Sequence, residues 1–377
     1  MKNKKVLFVA TVVKKHINVF HLPYLQWFQE QDYETHVCAR DDFNGEKCII
    51  PYCDKHFDIP LERSPINKNN LKAYRQFKKI IAENNYDIIH CHTPVAAMLT
   101  RFAARKARKR GTKVIYTAHG FHFFKGAPLL NWLIYFPVEW ICSFFTDILI
   151  TINQEDYNLA KKYMKYPTVK YIKGVGIDIE NKSYLDVDKK MKKRNLDIPE
   201  ESIVLLSVGE LNKNKNHRVV IEALGKINNP NIYYLLCGEG PLEAELMNLS
   251  ENLNLSKNIK FLGFRKDIVQ LQSISDIFVF PSYREGLSLS LMEAMLAGNV
   301  CVVSNIRGNS DLISDSRFLL NPSDSSAFAN TLMNLINDNN LMNQCGRENR
   351  KKIQEYDLKI ILKQMEKIYF NEDNKDG

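Results

Sequence analysis

An alternation constrains this chain more than any single motif. Short apolar runs of strand length recur along most of its 377 residues, and stretches of helical period separate them. In the first half the runs are Lys5–Thr11, Glu34–Ala39, a short one near Asp58, Tyr86–Cys91, Lys113–Ala118, Ile148–Ile152 and Val169–Ile172. Helical patterns fall at roughly Phe20–Gln31, Leu71–Asn84, Pro94–Lys109, Leu129–Phe145 and Gln154–Tyr163. Strands that are apolar on both faces, spaced by helices, predict a parallel sheet covered on both sides. The rhythm stops once, over the polar, Lys- and Asp-rich Gly174–Pro199, which reads as a connection between domains. It restarts with strands expected at Ile203–Val208, Ile232–Cys237, Ile259–Leu262, Ile277–Phe280 and Val300–Val303, and two or three helices between Ala327 and Phe370. The pattern predicts two doubly wound, Rossmann-like α/β domains, residues 1–177 and 178–356, facing across a cleft. A last helix at about 357–372 is expected to pack back on the first domain. Ligands of such sheets sit beyond the carboxyl ends of the strands.

Charge is unevenly spread. The net +9 is carried by the first 180 residues, at +10, against −1 for the rest. An anionic partner should therefore meet the N-terminal half, and a membrane surface, a lipid diphosphate and a nucleic acid all have that chemistry. Two stretches of that half bear on the choice. Leu129–Phe145 is strongly apolar, but at 17 residues with Pro137 and Glu139 it is short for a span. Arg101–Lys113 carries seven basic residues and reads as a solvated or lipid-adsorbing face. The eight cysteines are scattered with no Cys-x-x-Cys pair, which suggests reduced, cytosolic thiols, and MKNKK leading directly into VLFVAT suggests no signal peptide.

Chemistry concentrates at strand exits. FPSYREGLSLSLMEAMLAG, Phe280–Gly298, leaves a strand, makes a polar turn and opens a helix with Ser288 as the expected N-cap and Gly298 as its stop. A helix N-terminus after such a turn is a natural anion site, because its first N–H groups are unpaired and its dipole is positive there. Glu285 lies in the turn and Glu293 in the helix. VGELNKNKNH, with Lys213 and Lys215, LLCGEGP and GFRKD are further exits from the second domain, and together they suggest a nucleotide pocket. In the first domain Lys14, Lys15 and His16 are expected in a strand-to-helix loop. TAHGFHFF places His119 and His122 at another exit, and His90 and His92 flank Cys91 at a third. Two histidines at that spacing could suit a metal, but no carboxylate or third histidine lies near in sequence, so no metal is expected there. The absence of Gly-x-Gly-x-x-Gly after the first strand argues against a nicotinamide or flavin enzyme.

Taken in order, VLFVAT, DIIHCHTP, VIYTAHGFHFF, SVGELNKNKN, CGEGP, LGFRKDI, FVFPSYREGLSLSLMEAMLAG and SNIRGNSDLI resemble glycosyltransferase family 4, retaining enzymes of the GT-B fold, especially those of bacterial capsule and exopolysaccharide synthesis. The resemblance implies that the second domain binds a nucleotide sugar, with a UDP-sugar favoured. Glu293 would bond the ribose hydroxyls, Glu285 would meet the donor sugar, and Lys215 would bind phosphate. The backbone of Gly286, Leu287 and Ser288 would face the diphosphate and sugar, Gly209, Gly238 and Gly240 would line the donor site, and Arg265 would lie where backbone meets the base. His119 would stand beside the donor sugar. Lys14, Lys15 and His16 are the expected acceptor contacts, and the acceptor implied is a polyprenyl-diphosphate-linked saccharide at an anionic membrane surface, with no nucleic acid. The enzyme would be cytoplasmic and peripheral to the membrane.

The sequence departs from the family pattern at Glu210, which stands where an arginine is common, and in lacking the frequent Gly-Gly pair after the first strand. Asp186-Val187-Asp188 lies in the charged connection without a preceding strand, so no metal cofactor is implied. A sugar-nucleotide 2-epimerase and a noncatalytic, membrane-associated nucleotide-sugar-binding protein are the competing readings.

Overall fold

The structure is a computed structural model and describes residues 4–180 and 187–370. The chain forms two compact units, one of residues 1–175 with 361–377 and one of residues 176–360. Asp186 of the Asp-x-Asp pair lies outside the described residues, whereas Asp188 caps the helix Lys189–Arg194 by accepting from the Met191 N–H. That helix occupies part of the connection Gly174–Pro199.

In the first unit β1 (Lys4–Val12), β2 (Tyr33–Arg40), β3 (Lys55–Asp58), β4 (Ile88–His92), β5 (Lys113–Ala118), β6 (Ile148–Thr151) and β7 (Thr168–Tyr171) form one parallel sheet in the order β3-β2-β1-β4-β5-β6-β7. Alternate residues of β1 explain its continuous apolar run. Leu7 and Val9 enter a core with Phe77 and Tyr116, while Val6 and Phe8 enter the opposite core with Phe28 and Tyr369. The helix Leu358–Phe370 supplies Ile361, Met365, Ile368 and Tyr369 to that second core, a stripe at helical spacing. The Tyr369 hydroxyl meets His90 Nδ1 at 2.7 Å, and His90 Nε2 meets the Thr117 hydroxyl at 2.8 Å. Both ring nitrogens of His90 are thus used in the core.

In the second unit β8 (Ile203–Val208), β9 (Ile232–Cys237), β10 (Ile259–Phe261), β11 (Ile277–Phe280), β12 (Val300–Ser304) and β13 (Leu319–Leu320) form a parallel sheet ordered β10-β9-β8-β11-β12-β13. Two-residue β13 has no sequence signature of its own. Both sheets reverse strand order beside their first strand, between β1 and β4 and between β8 and β11. These are the points where open α/β sheets leave a crevice for ligands.

Two segments differ from expectation. β1 runs to Val12 and turns directly into a π-helical turn, Val13–Ile17, so Lys14–His16 are not in a loop. The helix expected over Pro94–Lys109 breaks at Ala104 into Pro94–Ala103 and Arg105–Arg108. Within the first, Arg101 is not part of a solvated face. It is 1% exposed and ion-paired to Glu139 at 2.8 Å. Among the described residues no helix is long and apolar enough to cross a membrane, and all eight cysteines are unpaired.

Candidate active site

In the second unit the exits of β8, β9 and β11 are tied into one edge. After β8 the backbone N–H of Gly209 donates to the Cys237 carbonyl and that of Leu211 to the Glu239 carbonyl. Gly238 is bridged to Gly263 by its N–H at 2.8 Å. Asn214 joins this edge to the turn after β11, since its carbonyl accepts from the Tyr283 N–H and its amide donates to the Arg284 carbonyl at 2.9 Å. Asn216, in the left-handed region at φ 56°, donates to the carbonyls of Pro281 and Pro322. Three loops, after β8, after β11 and at Pro322, are thereby held by side-chain amides that no sequence motif singled out. Polar residues in an NKNKN run read as solvated surface until the facing carbonyls are known.

Lys215 and Glu285 face one another across the switch point, Nζ to Oε1 at 2.8 Å, with side chains 20% and 14% exposed. The ammonium also lies 4.5 Å from the centre of the Phe280 ring. Its stem runs over Gly209, where a Cβ would meet Cε at 3.0 Å. An ammonium has three donors, and one is used by Glu285. The pair therefore fixes a cation and a carboxylate with donor capacity left for an incoming oxyanion.

Ser288 caps the helix Leu289–Ala297 as the sequence predicts, with extended backbone and its hydroxyl accepting from the Leu291 N–H. Gly298 ends the helix in the left-handed conformation. Gly286 and Leu287 precede this N-terminus, and Glu293, half-buried, lies in its second turn. Gly308 supports the turn from behind: at φ 79° it lies so close that a Cβ would fall 1.5 Å from the Gly286 carbonyl oxygen. Nothing in the sequence marks Gly308 beyond its being a glycine in SNIRGNS.

Glu210, Lys213 and Arg284 are exposed. Arg265 is committed to a bidentate pair with Asp267, at 2.8 and 2.7 Å, and Asp267 also accepts from Lys192. The Arg265 guanidinium, then the Lys192 ammonium, hold the Asp267 carboxyl well below the usual carboxylate range. Burial first, then the Lys215 charge, push His217 beneath this edge down to about 4.

In the first unit the carboxyl ends of β1, β4 and β5 meet around histidines. Across the switch point the Thr11 and Thr93 hydroxyls are 2.8 Å apart. His92 Nδ1 lies 3.2 Å from His119 Nε2. His16 and His21 come from the π-turn and the helical segment after it, and their rings are 5.1 Å apart. Burial pushes His119 down to about 4. Burial first, then neighbouring imidazoles, hold His16, His21 and His92 well below the usual histidine range. These rings are neutral near pH 7.

Beside them lies a cavity of about 320 Å³. Lys15, His16 and Arg63 give it a cationic side, while Met98, Ile134, Tyr135 and Val138 give it an apolar one. His122 stacks on Tyr135 at 4.6 Å. Lys14, expected beside Lys15, turns elsewhere: its backbone N–H donates to Asp42 and its ammonium pairs with Glu46 at 2.9 Å. Arg63 was not singled out in the sequence, since it sits in an irregular segment far along the chain.

Family comparison agrees with this division of the chain. Residues 188–352 match the model for glycosyl transferases group 1, and residues 5–153 the model for glycosyl transferase 4-like domains. The putative glycosyltransferase EpsD of Bacillus subtilis is 40% identical over 372 residues, covering 97% of this chain and 96% of that protein. The chain is a family 4 glycosyltransferase. An Escherichia coli relative, UDP-Gal:alpha-D-GlcNAc-diphosphoundecaprenol alpha-1,3-galactosyltransferase, is 31% identical over 293 residues, 75% of each chain. Among solved structures, Anabaena Alr3699/HepE in complex with UDP and glucose superposes with a TM-score of 0.80 at 20% identity, over 98% of this enzyme and all of that chain, which shows the GT-B fold.

Proposed function

We propose that this glycosyltransferase moves a hexosyl or N-acetylhexosaminyl unit from a UDP-sugar, with retention, to a lipid-linked saccharide during assembly of a surface polysaccharide. The observation that carries the reading is the Lys215–Glu285 pair at the β8/β11 switch point, beside the helix N-terminus capped by Ser288. Loss of a nucleoside diphosphate from an anomeric carbon puts growing negative charge on the β-phosphate. A fixed ammonium and fixed N–H donors stabilise that charge without reorganising. The cation in this account is Lys215, so the leaving group needs no metal. Glu210 contributes none of this charge neutralisation, which rests on Lys215 and on the N–H groups of residues 286–291.

In the same reading Glu285 turns from Lys215 toward the donor sugar, and Glu293 bonds the ribose. Gly209, Gly238 and Gly240 form the floor of the donor site, and the backbone near Arg265 meets the base. His119, neutral, donates or accepts a hydrogen bond at the donor sugar rather than presenting a charge. The acceptor proton leaves on a phosphate oxygen of the departing diphosphate.

The acceptor belongs in the 320 Å³ cavity. Lys15 and Arg63, with His16, suit a diphosphate, and the apolar wall suits the start of a polyprenyl chain. That wall continues outward, because Ile134 lies on the helix Leu129–Ser143, whose outer stripe includes Leu129 and Leu133, 74% and 66% exposed. The exposed Arg105, Lys106, Lys109 and Arg110, on a segment that contacts Phe144 and Phe145 just beyond the other end of that helix, suit anionic headgroups. A cytoplasmic, peripheral membrane position follows. Flotation with phosphatidylglycerol liposomes at low salt is expected to carry the enzyme, and a Leu129→Asp/Leu133→Asp variant to lower the bound fraction about tenfold. No binding of the unaltered enzyme at low salt would remove the membrane argument.

The activity itself is tested with a panel of UDP- and GDP-sugars, with and without membrane lipid extract, followed by mass spectrometry. Nucleoside diphosphate release that depends on lipid acceptor is the expected result. Isomerisation without acceptor would identify an epimerase, and binding without turnover a noncatalytic protein.

A further inference from the structure

We propose that His16, His21, His92 and His119 form a binding site for a divalent transition-metal ion of the zinc class, at the β1/β4 switch point. Each offers a ring nitrogen, and these atoms all lie within 4.8 Å of one another. Tetrahedral zinc with bonds of about 2.0–2.1 Å sets its nitrogens about 3.3 Å apart. One pair, His92 Nδ1 and His119 Nε2, already stands at 3.2 Å. The other separations, none above 4.8 Å, close by up to about 1.5 Å when the ion binds.

The hydrogen-bond pattern singles out these rings. His16 Nε2, both nitrogens of His21, and His92 Nε2 are buried with no hydrogen-bond partner. Buried polar atoms are normally satisfied, and an ion taking one nitrogen from each ring would satisfy the His16 orphan and one of the two on His21. His90, whose ring centre is 4.1 Å from that of His92, shows the contrast, since its two nitrogens are bonded to Tyr369 and Thr117. His21, His92 and His119 line a separate small cavity of about 20 Å³. That is room for one water-sized occupant.

The chemistry of the donors selects the ion. Imidazole nitrogens without carboxylates suit zinc, copper or nickel and not calcium or magnesium. Burial keeps the rings neutral, the form that ligates. An all-imidazole set supplies no negative charge, so the ion's charge is balanced by an anion outside the four-nitrogen shell. His16 also lines the larger cavity, which gives such an anion a route in. The fold assembles the set through the π-turn. His16 lies in the π-turn Val13–Ile17 and His21 follows the short helical turn after it, which leaves their ring centres 5.1 Å apart.

This ion is not a party to the transfer step. If the donor reading of His119 is right, filling the site withdraws that ring from the sugar and slows transfer, a consequence that rests on the function proposed above. Binding is therefore measured separately from activity. The full chain without a polyhistidine tag is stripped with chelator, dialysed against zinc sulfate and analysed by mass spectrometry for metal. One zinc per chain is expected. His21→Gln and His92→Gln should each lose it, while His56→Gln, outside the cluster, should keep it. Cobalt added to the stripped wild-type protein should give the intense visible absorption of a four-coordinate site, which decides the matter even if a variant fails to fold. Wild-type protein that retains no zinc and gives only the weak spectrum of six-coordinate cobalt would overturn the proposal and leave water in the small cavity.

Discussion

Lys215→Ala is expected to lower kcat/KM for sugar transfer by about 10²–10³-fold, the usual loss when a preorganised charge-stabilising group is removed. The structure explains why no neighbour replaces it. Arg265 is held by Asp267, and the charges at Lys213 and Arg284 lie on exposed side chains outside the Lys215–Glu285 pair. The same change leaves the Glu285 carboxylate without its cation, so the loss should exceed that of a simple surface truncation. Glu293→Gln is expected to act on the donor too, by weakening the bond to ribose, and should show more in KM than Lys215→Ala does. Both variants should keep the wild-type circular dichroism spectrum and melt within a few degrees of it, since neither side chain is core. Wild-type turnover by both would show that the donor site has been misassigned.

Arg101→Met is expected to destabilise the first unit by about 3–5 kcal/mol, because it leaves the buried Glu139 carboxylate without its partner. For a unit of this size the melting temperature should fall by about 10 °C. Arg101 is held on three sides: by Glu139, by the Ala97 carbonyl to which its Nε donates, and by the Tyr116 ring 4.1 Å from its guanidinium. Removing both charges in Arg101→Met/Glu139→Leu should recover much of the loss, since a buried pair is often matched by apolar side chains of similar volume. A double variant as unstable as the single one would put the stabilisation in the contacts to Ala97 and Tyr116 instead. Glu139 also lines the 320 Å³ cavity, so the pair holds one wall of it against the helix Pro94–Ala103.

Much of the second unit could be read from the sequence, because its signals are local. A strand, a Gly-containing turn, an N-cap and a helix stop all fall within Phe280–Gly298, and Ser288 and Gly298 do what their residue types predict. The first unit was less legible at the same chain length. Lys14 and Lys15 are adjacent and identical in type, yet one pairs with Glu46 while the other faces the cavity. The difference comes from a π-turn that leaves no mark in composition. Arg101 sits among basic residues and reads as solvated, but helical phase turns it inward onto Glu139, 38 positions away.

The sequence by itself determined the two parallel sheets and the place of the helix Leu289–Ala297, because apolar periodicity and capping act over a few residues. The tertiary structure alone decided what meets at the switch points. Lys215 meets Glu285 across 70 positions. His92, with only His90 near it in sequence, gains His16, His21 and His119 from other elements. Gly308 fits against Gly286 because two loops converge there. The physical reason is common to all three. Strand order in a doubly wound sheet brings distant carboxyl ends side by side, and no local pattern records which side chains will face each other there.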